Sequence, residues 1–365
     1  MMQALRAADR TSGLHLEETP IPETGLDDVL IQVHAAGVTP GALRLLEMGR
    51  ARTPSTVGHE MAGIITKIGE RVPAELAIGS RVRVNAVLSC RRCEYCTSAR
   101  EHMCGQGAMI GFGQFGQSSP LYNRYHDGGV AEYARVPYWN VDIIPANISF
   151  ATAAKVHDVA TGLYSLERAN LPRESVLLVT AASGTMGAVT LRLAQEFGIK
   201  KILLVGRSRE RLEAMRSLTA VATAVIVTSN KDGELEQPTL LENLRAAAPD
   251  GVDAIIDYLP SGGLIGKILP ILKTAGTLVH MGSNAAPLPV PLALVMGKCW
   301  TIVGCRGHAR EHENKIVQWL AEKKLIVDDL ITHRFAFSEA EDVIKRIEGR
   351  REPMWLTVID VVSES

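Results

Sequence analysis

Hydrophobic and polar positions follow two different patterns along the chain, and the pattern changes near residue 151. Before that point, short segments run apolar or alternate over strand length, with glycine and proline between them. Examples are Val29–Ala35, Ala62–Ile68 and Ser80–Ala86. This pattern predicts a β-rich domain over residues 1–151.

After residue 151, apolar strands alternate with amphipathic helices. The predicted strands are 175–180, 201–206, 224–227, 252–257 and 276–282, and the helices among them include 188–197 and 209–217. Alternation at this spacing is typical of a parallel sheet whose two faces are covered by helices. We therefore predict an α/β fold with a doubly wound parallel sheet over residues 152–297. We expect residues 298–365 to return to the first domain.

The composition narrows the classes of partner. The chain has 365 residues, of which 46% are hydrophobic and 22% charged, and its formal net charge is -1. This usage is ordinary for a globular protein and leaves no basic surface for nucleic acid. No apolar run is long enough to span a bilayer, and the first residues lack a secretory pattern. We expect a cytoplasmic protein with neither nucleic acid nor a membrane as partner.

Four cysteines form the most specific local motif. Cys90, Cys93, Cys96 and Cys104 stand in a C-x2-C-x2-C-x7-C run within a polar, charged segment. Thiolates at this spacing can surround one tetrahedral zinc ion, and a closed four-sulfur shell is typical of structural zinc. The alternative is a pair of disulfides, which a reducing compartment disfavours. We predict one structural zinc, with no open coordination position for catalysis.

A glycine-rich turn follows the first parallel strand. Gly184 and Gly187 stand where a G-x-G-x-x-G turn would lie, although Ala182 replaces its first glycine. Gly184 allows a pyrophosphate to approach the backbone, and the helix N-terminus offers amide N–H groups. Such turns also occur for backbone reasons alone. The strand–turn–helix context favours a dinucleotide site whose residues are Ser183, Gly184, Thr185, Met186 and Gly187.

The end of the second parallel strand indicates which nucleotide binds. NAD sites usually carry Asp or Glu there to hold the ribose 2′-hydroxyl. This chain instead has Gly206, Arg207, Ser208 and Arg211. Guanidinium groups suit a 2′-phosphate, so the sequence predicts NADP(H), although solvated surface arginines would give the same pattern.

Two later strand ends also carry candidates. Met281, Gly282 and Ser283 follow a parallel strand at the edge where nicotinamide would lie, so we expect backbone contacts there. Asp257 ends the preceding strand and could serve only as a turn or cap residue. His308 and His312 are four residues apart and could chelate a metal, but we expect surface histidines.

Several motifs together carry a family resemblance. They are the cysteine run, Gly58-His-Glu60, Gly128-Gly-Val-Ala-Glu-Tyr133, and Thr161-Gly162 ahead of the nucleotide-binding segment. With these motifs the chain resembles the zinc-containing medium-chain dehydrogenase/reductase superfamily, the alcohol dehydrogenase-like proteins. The resemblance implies a GroES-like catalytic domain, a Rossmann domain, Thr161 near the cofactor, a small-molecule substrate, and a homodimer or homotetramer.

The resemblance also implies where a catalytic zinc would bind. Zinc-using members hold it with a cysteine, the histidine of Gly-His-Glu, and a later cysteine or acid. Here Thr39 stands at the cysteine position, His59 and Glu60 match, and His157 takes the later position beside Asp158. Thr39, His59, Glu60 and His157 are therefore the catalytic candidates. His59, Glu60, His157 and Asp158 are the possible zinc ligands, or else packing residues.

These observations predict an NADPH-dependent oxidoreductase that transfers hydride to a small organic substrate. With a catalytic zinc the substrate would be a carbonyl compound, because the ion polarises the oxygen. Without it, a conjugated C=C or C=N bond is an equally good acceptor, because such a substrate is already electrophilic. The alternative function is a non-catalytic NADPH-binding redox sensor or regulator on the same fold.

Overall fold

The computed structural model describes residues 1–37, 39–115, 119–230, 233–349 and 354–362. The chain forms two compact units. The first unit contains Met1–His157 and Ala309–Ser365, and the second contains Asp158–His308. The C-terminal segment therefore belongs to the same unit as the N-terminal one.

Strands and helices are numbered along the chain. The strands are β1 (Met2–Ala7), β2 (His15–Thr19), β3 (Asp28–Gly37), β4 (Ser55–Thr56), β5 (Glu60–Ile68), β6 (Arg81–Val84), β7 (Val87–Leu88), β8 (Ala108–Met109), β9 (Gly113–Gln114), β10 (Tyr133–Pro137), β11 (Val141–Ile143), β12 (Val176–Val179), β13 (Lys201–Gly206), β14 (Ala222–Val227), β15 (Ser229–Asn230), β16 (Gly233–Glu234), β17 (Val252–Asp257), β18 (Leu272–His280), β19 (Thr301–Gly304), β20 (Ile331–Ala336) and β21 (Leu356–Asp360). The helices are α1 (Pro40–Glu47), α2 (Glu94–Thr97), α3 (Pro120–Arg124), α4 (Phe150–Ala154), α5 (Val156–Arg168), α6 (Thr185–Ala194), α7 (Arg209–Ala214), α8 (Gln237–Ala247), α9 (Leu264–Ile268), α10 (Leu292–Gly297), α11 (Arg310–Ala321) and α12 (Ala340–Gly349).

The first unit is built from antiparallel sheets. Its largest sheet has the strand order β11-β6-β5-β3-β21-β20, and β10 also pairs with β3. Only the C-terminal pair, β20 and β21, runs parallel within it. Smaller sheets have the orders β2-β1-β4 and β7-β8-β9. The β-rich domain predicted from the sequence is therefore present.

The long strand β3 fixes the core of the first unit. Its residues Val29, Ile31 and Val33 are fully buried, whereas Gln32 and His34 between or beside them are only partly covered. This alternation places one face of the strand on the hydrophobic core, as a period of two requires. Strand β21 extends the sheet by pairing with β3 at Ala35 and Ala36.

A buried carboxylate ties the start of β3 to α3. Asp28 is fully buried and accepts hydrogen bonds from Arg124 Nη2 (2.6 Å), Tyr125 Oη (2.6 Å) and the Gly25 amide (2.8 Å). Burial alone would raise the pKa of Asp28, but the bonds from Tyr125, Gly25 and Arg124 outweigh it and hold the pKa below the usual range. Asp28 is therefore ionised in the folded protein and anchors three segments.

We expect Asp28→Asn to lower the free energy of unfolding by about 2–4 kcal/mol at pH 7, because the buried network loses its negative charge and one of its two acceptor oxygens becomes a donor. A depressed folded pKa stabilises the protein above the unfolded carboxyl pKa of about 4, and the contribution disappears as pH falls through the folded value. Urea unfolding of both proteins from pH 7 to pH 3 measures this.

The control is Asp27→Asn, which removes only a solvent-exposed pairing with Arg71 at 3.5 Å. It should change the free energy of unfolding by less than about 1 kcal/mol. If the difference between wild type and Asp28→Asn persisted undiminished at the lowest pH, the proposed role of the ionised carboxylate would be wrong.

The second unit contains one six-stranded parallel sheet. Its strand order is β14-β13-β12-β17-β18-β19. Central strands are buried on both faces, as Leu177, Leu178 and Val179 of β12 show. This order is that of the doubly wound dinucleotide-binding fold, so the predicted α/β class with a Rossmann sheet and a GroES-like domain is confirmed.

Two further points concern membrane-spanning helices and the glycine-rich segment 105–127. Within the described ranges, no helix combines the length and the apolar character needed to cross a bilayer. The glycine-rich segment 105–127 contains the short strands β8 and β9 and the helix α3. Its residues 116–118 lie outside the described residues.

Candidate functional site

The four motif cysteines come together at one point of the first unit. Their Sγ atoms all lie within 4.8 Å of one another, with Cys93 to Cys96 at 3.4 Å and Cys90 to Cys96 at 3.8 Å. A tetrahedral ion with Zn–S bonds of about 2.3 Å needs sulfurs about 3.8 Å apart. All four are free thiols. The cluster therefore fits structural zinc and does not form the two disulfides.

The backbone around the cluster favours thiolate at one position. The amide of Arg92 donates to Cys90 and lowers the pKa of its thiol to about 6. Burial raises the pKa of Cys96 to about 12 and also raises that of Cys104. The metal-free cluster is thus a mixture of thiol and thiolate. Zinc would draw all four into the thiolate form.

A second set of predicted residues surrounds Phe112 in the same unit. The rings of His59 and Phe112 meet edge to face at 4.7 Å, and those of His59 and His157 meet at 4.8 Å. Gly41 shows that Thr39 is close by, because a Cβ there would lie 3.1 Å from Phe112 and 3.7 Å from Thr39 Oγ1. The fold thus brings two catalytic candidates together, His59 and His157, and it places Thr39 beside Gly41, which faces Phe112.

The fourth catalytic candidate, Glu60, has a partner that the sequence analysis did not name. Lys155 Nζ lies 2.5 Å from Glu60 Oε2, and both side chains are almost completely buried. Lysine is rarely buried unless it is paired. The available signal was a single charge inside the apolar run from Phe150 to Val156, all of which is buried.

Glu313 is the second residue that the sequence analysis missed. It is fully buried and accepts hydrogen bonds from Arg83 Nη2 and Asn85 Nδ2, while His157 Nδ1 lies 3.6 Å from its other oxygen. No local motif marks it, because α11 lies some 150 residues from His157 in sequence. Glu313 therefore lies beside His157 although it comes from a distant part of the chain.

Thr39 and Glu60 are poor ligands for a catalytic zinc centre of the family type. Such a centre needs three good protein ligands. Thr39 offers a neutral hydroxyl, and the carboxylate of Glu60 already neutralises the ammonium of Lys155. A cation brought to Glu60 would also meet the positive charge of Lys155. We therefore derive no catalytic step through a second zinc.

The glycine-rich turn of the second unit has the geometry of a phosphate cradle. Gly184 is the residue before α6, and no side chain caps that helix. A side chain at Gly187 would collide with the carbonyl oxygen of Ala182, so helix and strand approach closely there. Ser183, Thr185 and Met186 are partly exposed around the open amides. These residues fit a pyrophosphate.

The end of β13 carries the predicted 2′-phosphate residues. Gly206 ends the strand, Arg207 is exposed, and Ser208 caps α7 by accepting the Arg211 amide at 3.3 Å. The end of this strand carries no acidic residue. The next one along the chain, Glu210, lies in α7. The positions fit an anionic group on the ribose.

The remaining predicted cofactor residues lie at two places in the second unit. Met281, Gly282 and Ser283 directly follow β18, whose carboxyl end faces the same edge as those of β12 and β13. Thr161 is buried in α5, and its hydroxyl bonds His308 Nδ1 at 2.8 Å. Thr161 thus already has a protein partner.

Two protein-family models match the chain. The model of the alcohol dehydrogenase GroES-like domain matches residues 25–146, and that of the zinc-binding dehydrogenases matches residues 185–322. The chain belongs to the zinc-type, alcohol dehydrogenase-like medium-chain dehydrogenase/reductase superfamily. It is an oxidoreductase of this group.

Curated relatives extend over nearly the whole chain. D-xylulose reductase A of Aspergillus oryzae is 27% identical over 352 residues, which cover 92% of this chain and 92% of that protein. Sorbitol dehydrogenase of Arabidopsis thaliana is 26% identical over 333 residues, which cover 90% and 86%. Each of these two matches thus covers at least 90% of the chain.

Solved structures show the same fold. An alcohol dehydrogenase of Escherichia coli CFT073 in complex with NADH aligns with a TM-score of 0.83, 23% identity, and coverage of 98% and 99%. A Sinorhizobium meliloti 1021 protein assigned to the zinc-binding dehydrogenases and bound to NADP aligns with a TM-score of 0.81, 23% identity, and coverage of 99% and 99%. These two structures therefore show the fold of the chain, and each of the two proteins was solved with a nicotinamide cofactor.

One expectation about this dehydrogenase was wrong. His308 and His312 are not surface histidines, since their exposed fractions are 0% and 5%. His308 bonds Thr161, and His312 Nδ1 lies 3.1 Å from the carbonyl oxygen of Ala309. Their spacing suggested an exposed helix start, whereas the helix begins only at Arg310. The sequence pattern therefore gave the wrong start for this helix.

Proposed function

We propose that the protein is an NADP(H)-dependent oxidoreductase that interconverts a small carbonyl compound and its alcohol. The observation that carries this proposal is the arrangement of residues at the carboxyl edge of the parallel sheet. There, the open N-terminus of α6 follows β12, and Arg207 with Ser208 replaces the usual acidic residue after β13. The pairing of a pyrophosphate cradle with a cationic ribose position matches NADP(H) rather than NAD(H).

The bound nicotinamide would supply the hydride, and the chain would supply binding and orientation. The amides of α6 would hold the pyrophosphate. The Arg207 guanidinium would pair with the 2′-phosphate, and the Ser208 hydroxyl can donate to it, because its oxygen already accepts the Arg211 amide. In the first unit, His59 and His157 are the groups able to hold or release a proton at a developing alkoxide.

The substrate class follows from the group as a whole. Both curated relatives named above act on polyols or ketoses by their names, which favours carbonyl reduction and alcohol oxidation. Reduction of a conjugated C=C or C=N bond is the second candidate. It is favoured by Thr39 and by the Lys155–Glu60 pair, which occupy the catalytic-zinc region without forming a zinc site.

Cofactor preference tests the proposal directly. Arg207→Asp should lower kcat/KM with NADPH about 100-fold and leave the NADH value unchanged or higher, because it removes charge-assisted bonds worth about 2–3 kcal/mol and places a carboxylate by the ribose. The matched control is Arg209→Asp, an exposed arginine two residues away that faces Glu213. An unchanged NADPH/NADH ratio in Arg207→Asp would contradict the assignment.

A substrate panel separates the enzyme from a sensor. Ketoses, simple aldehydes, enones and iminium compounds, each offered with NADPH, should give turnover with the carbonyl class. Tight NADPH binding without turnover on any of them would instead support the non-catalytic redox sensor. If the protein neither bound NADPH nor turned over any of these substrates, the proposed cofactor would be wrong.

Three further parts of the proposal concern the protein's setting. We place one zinc ion in the cysteine cluster. The four reduced thiols that it needs suit the cytoplasm. A homodimer or homotetramer stays a prediction, and the mass of the protein in solution would test it.

A further inference from the structure

Asp257 and His280 end two neighbouring parallel strands and face each other in register. His280 Nδ1 lies 2.7 Å from Asp257 Oδ2, and Asp257 Oδ1 accepts the Thr180 hydroxyl at 2.5 Å. Asp257 and Thr180 are fully buried, whereas about a third of the His280 side chain is exposed. Asp257 is therefore more than a turn residue, because it holds an accessible imidazole in place.

The other nitrogen of the imidazole holds the turn that follows. The amide of Asn284 donates to His280 Nε2 at 3.3 Å. An amide can donate only to an unprotonated nitrogen, so the proton lies on Nδ1 and is donated to Asp257. The ring thus links the buried carboxylate to the backbone just beyond Met281, Gly282 and Ser283.

Two more contacts join the same turn to the loop after β17. Asn284 Nδ2 donates to the carbonyl oxygen of Gly262 at 2.7 Å. A side chain at Gly282 would collide with the backbone of Leu259. Ser283 has a positive φ of 56°, which an L-residue adopts only when its surroundings require it. The turn is thus held in a conformation that depends on its contacts.

The two neighbouring strands differ in what they offer the imidazole of His280. Asp257 faces the ring from β17, whereas the register partner of His280 in β19 is Gly304, which has no side chain. The ring therefore lies between its contacts with Asp257 and with the Asn284 amide. Loss of the ring should release the turn, because the Asn284 amide would lose its acceptor.

We propose that His280 is a positioning residue for the nicotinamide half of the cofactor, and that its Nε2 acceptor holds the Met281–Ser283 turn in the binding conformation. This inference rests on the proposed nicotinamide cofactor. It implies that removal of the imidazole weakens binding of the whole dinucleotide, because the turn is then no longer held in place. The affinity for the adenosine half should not depend on His280.

The test measures binding of NADP⁺ and of 2′,5′-ADP by calorimetry at a single pH. His280→Ala should bind NADP⁺ about tenfold more weakly than the wild type and should keep the wild-type affinity for 2′,5′-ADP. His280→Gln still offers an acceptor to the Asn284 amide, so it should bind NADP⁺ within about threefold of wild type.

The control is His15→Ala, which removes an exposed histidine of the first unit and should keep the wild-type affinity for NADP⁺. Wild-type affinity in His280→Ala, or an affinity of His280→Gln as low as that of His280→Ala, would overturn the inference. Hydrogen exchange of residues 281–286 in the cofactor-free protein should be faster in His280→Ala, and equal exchange would overturn it too. Failure of every form to bind NADP⁺ would instead reject the proposed function.

Discussion

The double variant Cys93→Ser/Cys96→Ser should bind almost no zinc, whereas the wild type should bind about one ion per chain. Two remaining thiolates cannot complete the tetrahedral shell that the four Sγ atoms provide. Because metal binding supplies folding free energy, we expect several kcal/mol of lost stability, or a fall in Tm of roughly 10 °C. Mass spectrometry of the metal content and calorimetric unfolding measure both effects.

Cys299→Ser is the matched control, because Cys299 is an exposed cysteine of the second unit. It should keep the full zinc content and the wild-type Tm. Full zinc content in the double variant would show that the ion binds elsewhere. Two ions per wild-type chain would restore a catalytic zinc and contradict the reasoning from Thr39 and Lys155.

Lys155→Met should destabilise the first unit by about 3–5 kcal/mol, because it leaves the carboxylate of Glu60 buried without its cation. The double variant Glu60→Gln/Lys155→Met should recover most of this loss, since a neutral amide and an apolar side chain leave no buried charge. Urea unfolding of the wild type, the two single variants and the double variant forms a double-mutant cycle. This cycle gives the coupling free energy between Glu60 and Lys155 directly.

A second measurement keeps this prediction independent of the catalytic assignment. Binding of NADPH, proposed for the second unit, should persist in both variants and show that this unit is folded. Additive effects of the two substitutions would mean that Lys155 and Glu60 do not form the buried pair. Recovery of stability without recovery of turnover would show that the pair also serves the reaction.

Lys155 and Glu313, the two residues that the sequence analysis missed, show which parts of the candidate site could be predicted from the sequence. His59 and Glu60 belong to a short motif, so their candidacy could be seen locally. Lys155 was visible only as a charge within an apolar run, and its partner depends on how α4 packs against β5. Glu313 left no local signal, because Arg83 and Asn85 reach it only after β6 and α11 come together.

The second unit shows the same division. The glycines at 184 and 187 and the arginine at 207 could be identified from their spacing after apolar strands. Asp257 could be placed at a strand end but not paired with His280, because register between neighbouring strands sets that contact. The His308 and His312 prediction failed for a similar reason, since burial of a helix start is decided by its neighbours.

Sequence by itself determined the class of fold and located the cysteine run and the glycine-rich turn on which the zinc and cofactor predictions rest. Strand patterns, cysteine spacing and turn glycines are local features of a few residues, so they can be recognised without the tertiary structure. Only the tertiary structure decided which titratable side chains are paired inside the protein: Asp28 with Arg124, Glu60 with Lys155, and Asp257 with His280. Burial makes an unpaired charge expensive, and a partner distant in sequence can be found only where the folded chain brings it within reach.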